Sequence, residues 1–235
     1  MRGGLKMKLP KMNTKNILTL LTFMLILVSG IIVKQNPLFA LPLFISISVS
    51  FLQADANRYS YLIGGLNSLI YGFVYINFKT YALAANAFLV SFPLQIITFL
   101  NWQKHSYKKS VNFKKMSTKL RIIIAIVFAI VWIGSFIALN MLKSEAAFLD
   151  NTASQLGTLV TFLQLFAFIE YTYLWIISTF INVLLNIELV CNDITRITYF
   201  IYSIYAAYCV VLSYISVKKL YKEQNELKGD AKNEM

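Results

Sequence analysis

The chain has 235 residues, of which 58% are hydrophobic and 14% are charged, and its formal net charge at pH 7 is +12. Soluble domains carry roughly 25% charged residues, and here the charges cluster between long apolar runs, which excludes an ordinary soluble domain and predicts an integral membrane protein. The positive charge does not indicate a nucleic-acid partner, because lysines and arginines beside membrane spans are what the positive-inside rule expects.

Eight apolar runs predict eight membrane-spanning helices, since a span needs roughly 20 mainly apolar residues. In chain order they cover about 17–33, 38–53, 59–76, 81–102, 120–141, 148–168, 172–190 and 197–217. Pro93 is expected to bend the fourth helix. A long basic loop, 103–119, follows that helix, and the polar tail from Lys218 is expected to be frayed.

The basic residues are distributed unequally between the two sides of the predicted bundle. Of the 22 lysines and arginines, 18 fall on the side that holds both termini, and four fall on the other side. This bias predicts that both termini are cytoplasmic. That arrangement requires an even number of spans, which favours eight.

An internal repeat organises these helices. Tyr59-Ser60-Tyr61-Leu62 returns 112 residues later as Tyr171-Thr172-Tyr173-Leu174, and the same offset relates Ser46 to Thr158 and Lys79 to Cys191. Equivalent helices then cross the membrane in the same direction, so we predict two parallel three-helix repeats joined by a linker helix. The predicted segments are the N-terminus with an extra helix (1–36), the first repeat (37–102), the basic loop with the linker (103–147), the second repeat (148–217) and a cytoplasmic tail (218–235).

Polar and aromatic residues recur at helical spacing along both repeats. The clearest stripe lies on the sixth predicted helix and consists of Asn151, Ser154, Gln155, Thr158 and Thr161. Such side chains face protein or water rather than lipid. Two explanations stay open for each of them, which are hydrogen bonding between helices and the lining of a cavity. For the combination of amides, tyrosines and tryptophan on both repeats, we predict a lined cavity.

The chemistry of these stripes points to transport rather than catalysis. Amide and hydroxyl groups with aromatic rings suit a neutral or weakly cationic ligand that carries hydroxyls and a ring. The sequence has no P-loop motif, no nucleophile–base pair in the membrane and no cluster with the spacing of metal ligands. We therefore predict a passive transporter of a small molecule that uses no cofactor and no metal, and not an enzyme.

Several short motifs carry a resemblance. They are Asn67-Ser68-Leu69-Ile70-Tyr71, Gln95 with Asn101-Trp102-Gln103-Lys104, Phe148-Leu149-Asp150, and Glu170 with Trp175-Ile176. Together they resemble the PnuC family of bacterial vitamin and nucleoside transporters, over about residues 38–221. The resemblance implies the two-repeat fold, which is distantly like that of the sugar-transporting SWEET proteins. It also implies a homotrimer in the bacterial inner membrane that imports a nicotinamide riboside-like vitamin or nucleoside by facilitated diffusion, with cytosolic phosphorylation trapping the substrate.

The chain departs from the family pattern at two positions, where Thr172 and Thr179 replace a tryptophan and an asparagine. These positions would shape the pocket, so thiamine or another vitamin is an alternative substrate. A SWEET-like sugar carrier and a non-transporting membrane subunit or scaffold are the remaining alternatives. The predicted substrate-binding residues are Asn67, Tyr71, Gln95, Gln155, Thr158, Trp175, Thr179, Asn182 and Tyr202.

Overall fold

The computed structural model describes residues 13–144 and 146–233, which form an all-helical bundle with one short hairpin. The long helices are α1 (Thr14–Ile32), α2 (Pro37–Ala54), α3 (Tyr59–Asn77), α4 (Tyr81–Lys104), α5 (Thr118–Met141), α6 (Ala147–Leu165), α7 (Tyr171–Asn192) and α8 (Ile197–Asn233). They confirm the predicted fold class. The predicted basic N-terminal segment 1–12 lies outside the described residues.

Six of these helices, all except α3 and α6, are long and apolar enough to cross a membrane. The two exceptions are more polar because they carry buried residues such as Asn67 in α3 and Asn151 in α6. Each has 19 residues, or about 28 Å at 1.5 Å per residue, which is close to the thickness of the hydrocarbon core. Each also lies among other helices, where the side-chain amides of Asn67 and Asn151 donate to protein acceptors.

Six helices form a closed ring in the order α2, α3, α4, α6, α7, α8 and back to α2. Helix α5 lies outside this ring against α6, and α1 lies outside it against α2 and α8. Two parallel three-helix repeats, α2–α4 and α6–α8, produce such a ring. In these repeats α2 corresponds to α6 and α4 corresponds to α8, so the contact of α2 with α8 is equivalent to the contact of α6 with α4. The ring thus places both repeats around one central space.

The turns within the two repeats have the same backbone conformation. The Ala56 amide donates to the carbonyl of Gln53, and the Ala167 amide donates to the carbonyl of Gln164, at 2.9 and 3.0 Å. Both alanines have a positive φ, 51° and 55°. Left-handed backbone is unusual for a residue with a Cβ, so its occurrence at equivalent turns supports the repeat.

Ala56 and Ala167 are 111 residues apart in the chain, whereas Tyr59 and Tyr171, which begin the following helices α3 and α7, are 112 residues apart. One additional residue therefore precedes Tyr171 in the second repeat. Helices α2 and α6 correspond at the shorter offset, which makes Gly157 the equivalent of Ser46. The sequence-based pairing of Ser46 with Thr158 is corrected by one residue.

The predicted basic loop is a folded element. Strands β1 (Ser106–Tyr107) and β2 (Ser110–Val111) form an antiparallel hairpin. The Arg58 amide of the α2–α3 turn donates to the carbonyl of Lys109 at 3.1 Å. Next to the hairpin, the Lys114 amide donates to the carbonyl of Ala167 in the α6–α7 turn at 3.0 Å. The loop therefore ties together the corresponding turns of both repeats.

The prediction that the last helix ends at Val217 and continues as a frayed tail is wrong, since α8 extends to Asn233. The extension packs against the basic loop through a buried glutamine. The side-chain amide of Gln224 donates to the carbonyl of Val111 and accepts from the amide of Phe113, both at 2.9 Å. Sequence hydropathy marks where a span leaves the membrane, but it does not show that the helix continues beyond the membrane along the basic loop of the same chain.

A buried aromatic cluster lies at the same end of the ring as this loop. It contains Tyr61, Trp102, Phe113 and Tyr171, each exposed by 3% or less. The indole N–H of Trp102 donates to the carbonyl of Gln164 at 2.8 Å, so its polar atom is satisfied as a buried Trp requires. The cluster joins the loop to both repeats at the basic end of the molecule.

Helix α4 contains a π-helical segment, Asn86–Ser91, that ends two residues before Pro93. Proline has no N–H to donate to the preceding turn, and a wider turn accommodates this missing bond. The predicted distortion near Pro93 thus takes the form of a π segment. Such segments occur often at functional sites, and this one faces the centre of the ring.

Gly72 in α3 provides a test of how closely α3 and α4 approach. A Cβ added there would clash with three ring atoms of Phe88. We expect Gly72→Ala to destabilise the protein by about 1–3 kcal/mol, the usual cost of overpacking, measured as a lower thermal unfolding temperature in detergent. Gly134→Ala in α5 is the matched control, because a Cβ there meets nothing within 4 Å. An equal effect of both changes would contradict the close approach, as would an undiminished Gly72→Ala effect in a Phe88→Ala background.

Candidate substrate cavity

The centre of the ring contains three adjoining chambers of about 230, 230 and 180 Å³. Asn182 of α7 lines all three of them. Together they fall within the roughly 300–1,000 Å³ that small-molecule sites occupy. The chambers therefore form one segmented cavity with α7 as a common wall.

The two larger chambers meet at a zone formed by α7 and α8, which we call the waist. It is lined from both sides by Trp175, Thr179, Asn182, Tyr202 and Ala206. Four of these five residues belong to the predicted binding set. The waist thus brings four of the predicted binding residues to the junction of the two chambers.

The two chambers on either side of the waist differ in chemistry. One is rich in tyrosine and is lined by Tyr71, Tyr75 and Tyr199, with the Tyr71 and Tyr75 rings stacked at 5.4 Å between centroids. The other extends toward the basic end and is lined by Gln53, Gln95, Gln164 and the waist residues. The cavity thus offers aromatic faces at one end and amide groups at the other.

None of the residues that line the three chambers, within the described part of the chain, carries a formal charge. The polar groups are hydroxyls and amides. The side-chain nitrogen of Asn182 donates to the backbone carbonyl of Ser178 at 2.9 Å. The side-chain oxygen of Asn182 can therefore accept a hydrogen bond from a ligand. Such a lining suits a ring with hydroxyl groups better than an ionised phosphate or carboxylate.

Asn67 lies behind the cavity wall instead of lining it. The side chain is 3% exposed, and its amide nitrogen donates to the carbonyl of Pro42 and to the Ser46 hydroxyl, both at 2.9 Å. The Ser46 hydroxyl in turn donates to the Tyr71 hydroxyl at 3.0 Å. Asn67 therefore positions Ser46 and Tyr71, which do line the cavity.

The polar side chains of the α6 stripe face three different surroundings, namely helix α5, helix α4 and the cavity. The Gln155 amide donates to the Ser135 hydroxyl of α5 at 3.1 Å, outside the ring. The Thr158 hydroxyl accepts from the Asn86 amide of α4 at 2.6 Å. Of the predicted stripe, only Thr161 lines a chamber. The structure thus places Gln155 and Thr158 in bonds between helices, the alternative that the sequence left open.

Six of the nine predicted binding residues come together in the cavity, namely Tyr71, Gln95, Trp175, Thr179, Asn182 and Tyr202. The predicted binding set lacks several other lining residues, including Tyr75, Asn86, Ser91, Gln164, Asn186 and Tyr199. Ser91 and Asn186 lie on polar stripes that the sequence shows at helical spacing. Tyr75 had a signal in the sequence, because it follows Tyr71 by one helical turn. Gln164 becomes the repeat equivalent of Gln53 only at the offset of 111 residues that the structure shows, and not at the 112 that the sequence predicted.

Comparison with known proteins agrees with this architecture. The sequence signature of the nicotinamide mononucleotide transporter family matches residues 36–215. This chain belongs to that family. Its fold is similar to the crystal structure of the vitamin B3 transporter PnuC, with a TM-score of 0.77 and 18% sequence identity over 91% of this chain and 94% of that one. Among curated protein sequences, none matches this chain.

The structure places the two threonines of α7, Thr172 and Thr179, in different surroundings. Thr172 is 2% exposed, its hydroxyl donates to the carbonyl of Ile169 at 2.8 Å, and it does not line the chambers. Thr179 lies at the waist, where its hydroxyl donates to the carbonyl of Trp175 at 2.7 Å. Of these two positions, therefore, only Thr179 lies on the surface of the chambers.

Proposed function

We propose that this chain imports a nicotinamide riboside-like vitamin or nucleoside by facilitated diffusion. The observation that carries the proposal is the cavity at the centre of the ring, lined by amides, hydroxyls and aromatic rings and by no charged side chain. Amides and hydroxyls can bond ribose hydroxyls, and the faces of Trp175 and the tyrosines suit a cationic pyridinium ring. A mononucleotide adds a phosphate, which proteins usually bind with arginine or lysine. The riboside therefore fits this lining better than the mononucleotide.

The same lining supports passive transport. Carriers coupled to protons or ions commonly keep an ionisable residue along the path, and the chambers are lined by none. Phosphorylation of the imported riboside in the cytosol would add roughly −1.5 to −2 charge units at pH 7. Because the cavity offers this group no cation, the phosphorylated product would not return, and net import would follow.

The direct test uses the full chain in proteoliposomes with radiolabelled nicotinamide riboside. We expect the riboside to equilibrate without accumulating, with no effect of a protonophore and no competition by the mononucleotide. Enclosing a riboside kinase with ATP should convert equilibration into accumulation. Accumulation without the kinase would contradict facilitated diffusion, and uptake of the mononucleotide would contradict the proposed substrate class.

Thiamine is a second candidate because Thr179 stands at the waist in place of the asparagine of the family pattern. A threonine offers one hydroxyl, which already bonds Trp175, and so provides fewer groups for ribose hydroxyls. Competition of riboside uptake by thiamine at equal concentration distinguishes the candidates. Stronger inhibition by thiamine than by unlabelled riboside would transfer the proposal to thiamine and leave the transport mechanism unchanged.

We further propose that both termini face the cytoplasm of a bacterial cell, with the chain in the inner membrane as a homotrimer. The basic loop and the extension of α8 lie together, with Lys108 2.6 Å from Glu223, so these two positively charged parts share one side. The outer face of α5 exposes Ile122, Ile126 and Ile130 to lipid or to a second copy. A native mass of three 26.9 kDa chains would support the trimer, and a monomer mass in lipid nanodiscs would contradict it.

A further inference from the structure

A second large concavity lies outside the ring, between α5, α6, α7 and the extension of α8. This groove has a volume of about 1,440 Å³ and shares no lining residue with the three chambers. It begins at the basic end of the molecule and continues along the apolar side of the bundle. Neither the transport path nor the predicted binding residues account for it.

The open end of the groove has a basic rim, formed by Lys115, Arg121, Lys218, Lys219 and Lys222. Two carboxylates also line it. Glu170 is bonded to Arg121 at 2.6 Å and accepts from the Met116 amide, and Glu226 lies 3.6 Å from Lys222. Both carboxylates are therefore already engaged.

Three lysines of the rim, Lys115, Lys218 and Lys219, have no carboxylate within 4 Å among the described side chains. Lys218 and Lys222 are four residues apart on α8, a spacing at which like charges destabilise a helix. Lys218 lies 5.7 Å from the Tyr214 ring, and Lys115 lies 5.7 Å from the Tyr221 ring. An anion at the rim would relieve this repulsion and would give the three lysines a partner that Glu170 and Glu226, already paired with Arg121 and Lys222, do not provide.

Beyond the rim the walls of the groove are apolar. They consist of Ile124, Ala125 and Phe128 from α5, Leu156 and Leu159 from α6, Leu174 from α7 and Ile215 from α8. Arg121 and Phe128 are seven residues apart on α5, or about 10 Å along the helix axis. The groove thus presents a cationic end and an apolar wall in sequence, the pattern complementary to an amphiphile with an anionic head.

We propose that this groove binds an anionic glycerophospholipid, with its phosphate at Lys218 and Lys219 and an acyl chain along Ile124, Phe128 and Leu159. Basic pockets between membrane helices on the cytoplasmic side bind such headgroups. Tyr173 and Tyr214, with ring centroids 5.4 Å apart, stand at the rim, where amphipathic rings favour the membrane interface. The assignment of the lipid to the cytoplasmic leaflet rests on the proposed orientation, whereas the binding itself does not. The bound lipid joins the linker helix α5 to the second repeat.

Native mass spectrometry and thermal unfolding of the delipidated full chain test the site. Phosphatidylglycerol is titrated against phosphatidylcholine with the same acyl chains. We expect binding and stabilisation by phosphatidylglycerol, and roughly 30-fold weaker binding after Lys218→Gln with Lys219→Gln, because each of the two basic residues near anionic lipid contributes roughly 1 kcal/mol. The matched control is Lys104→Gln with Lys109→Gln, which removes the same charge from the same end of the molecule but outside the groove.

Further measurements distinguish a bound phospholipid from a free phosphate at the basic rim. Glycerol phosphate and inorganic phosphate are expected to give no stabilisation, because they lack the acyl chain that the apolar wall holds. Lys218→Arg with Lys219→Arg should retain binding, and equal unfolding temperatures of all variants without lipid establish that each is folded. Equal binding of both lipids, full binding by the Gln variant, or stabilisation by free phosphate would overturn the proposal. Disulfide-linked dimers of Ala125→Cys in a Cys191→Ser background would overturn it as well, since a second copy would then cover the groove.

Discussion

Replacing Trp175 by alanine is expected to raise the KM for riboside uptake by about 10- to 100-fold. The indole lines both larger chambers at the waist, and its ring lies 6.1 Å from that of Tyr171. Stacking of a heterocycle on an aromatic side chain contributes roughly 1–3 kcal/mol by alanine substitution, and 1.4 kcal/mol corresponds to a factor of ten. Initial uptake rates in proteoliposomes over a range of riboside concentrations measure the effect.

Two variants separate stacking from general damage to the fold. Trp175→Phe retains an aromatic face and should raise the KM for riboside uptake by less than tenfold. Trp132→Ala removes an indole from α5, where it stacks on Phe136 and donates to the Thr152 hydroxyl outside the ring, so it should leave the KM unchanged. If Trp175→Ala also leaves the KM unchanged while the protein is folded, the ligand does not bind at the waist.

Replacing Asp150 by alanine is expected to destabilise the protein by about 3–5 kcal/mol, a large part of the 5–15 kcal/mol that ordinary folds possess. Its side chain is fully buried in α6 and accepts from the backbone amides of Ala82 and Leu83, both at 3.1 Å, and from the Ser144 hydroxyl at 2.8 Å. Helix α4 has no side-chain cap of its own. Alanine would leave two amides of its first turn without their acceptor.

Thermal unfolding in detergent measures this loss. About 3 kcal/mol corresponds to a decrease on the order of 10 °C for a chain of this length. Asp150→Asn retains an acceptor oxygen and should have a smaller effect. Asp193→Ala is the matched control, because Asp193 also caps a helix start through Thr195 but its side chain is 43% exposed. Equal unfolding temperatures of Asp150→Ala and Asp193→Ala would show that the contact between the repeats is not stabilised by this carboxylate.

The sequence predicted the helices well because the signals that define them are local. Long apolar runs specify the helices of the bundle, and the six apolar enough to cross a membrane carry few charges. The echo of Tyr59–Leu62 at Tyr171–Leu174 specified which helices are equivalent. The same local signals failed at Val217, where the apolar run ends but the helix continues. There the decisive contact is Gln224 with the basic loop, more than 100 residues away in the chain.

The binding residues were predicted less completely than the helices. Helical spacing predicts which residues share a face of a helix, but it does not predict whether that face meets the cavity or another helix. Trp175 and Asn182 share a face of α7 that the ring directs into the cavity. Gln155 has equally favourable chemistry, but α5 packs on its side of α6 and takes its hydrogen bond. Asn67 differs again, because it faces α2 and holds Ser46 in place.

The sequence by itself thus determined the membrane environment, the helices, the parallel repeat and the uncharged, aromatic character of the site. These properties depend on hydropathy and spacing along single helices. The tertiary structure decided which polar groups meet a ligand and which join helices, that the basic loop folds against α8, and that a basic groove lies beside α5. Those outcomes depend on which helices are neighbours in the ring, and a polar group buried in a membrane protein uses whatever partner that neighbourhood provides.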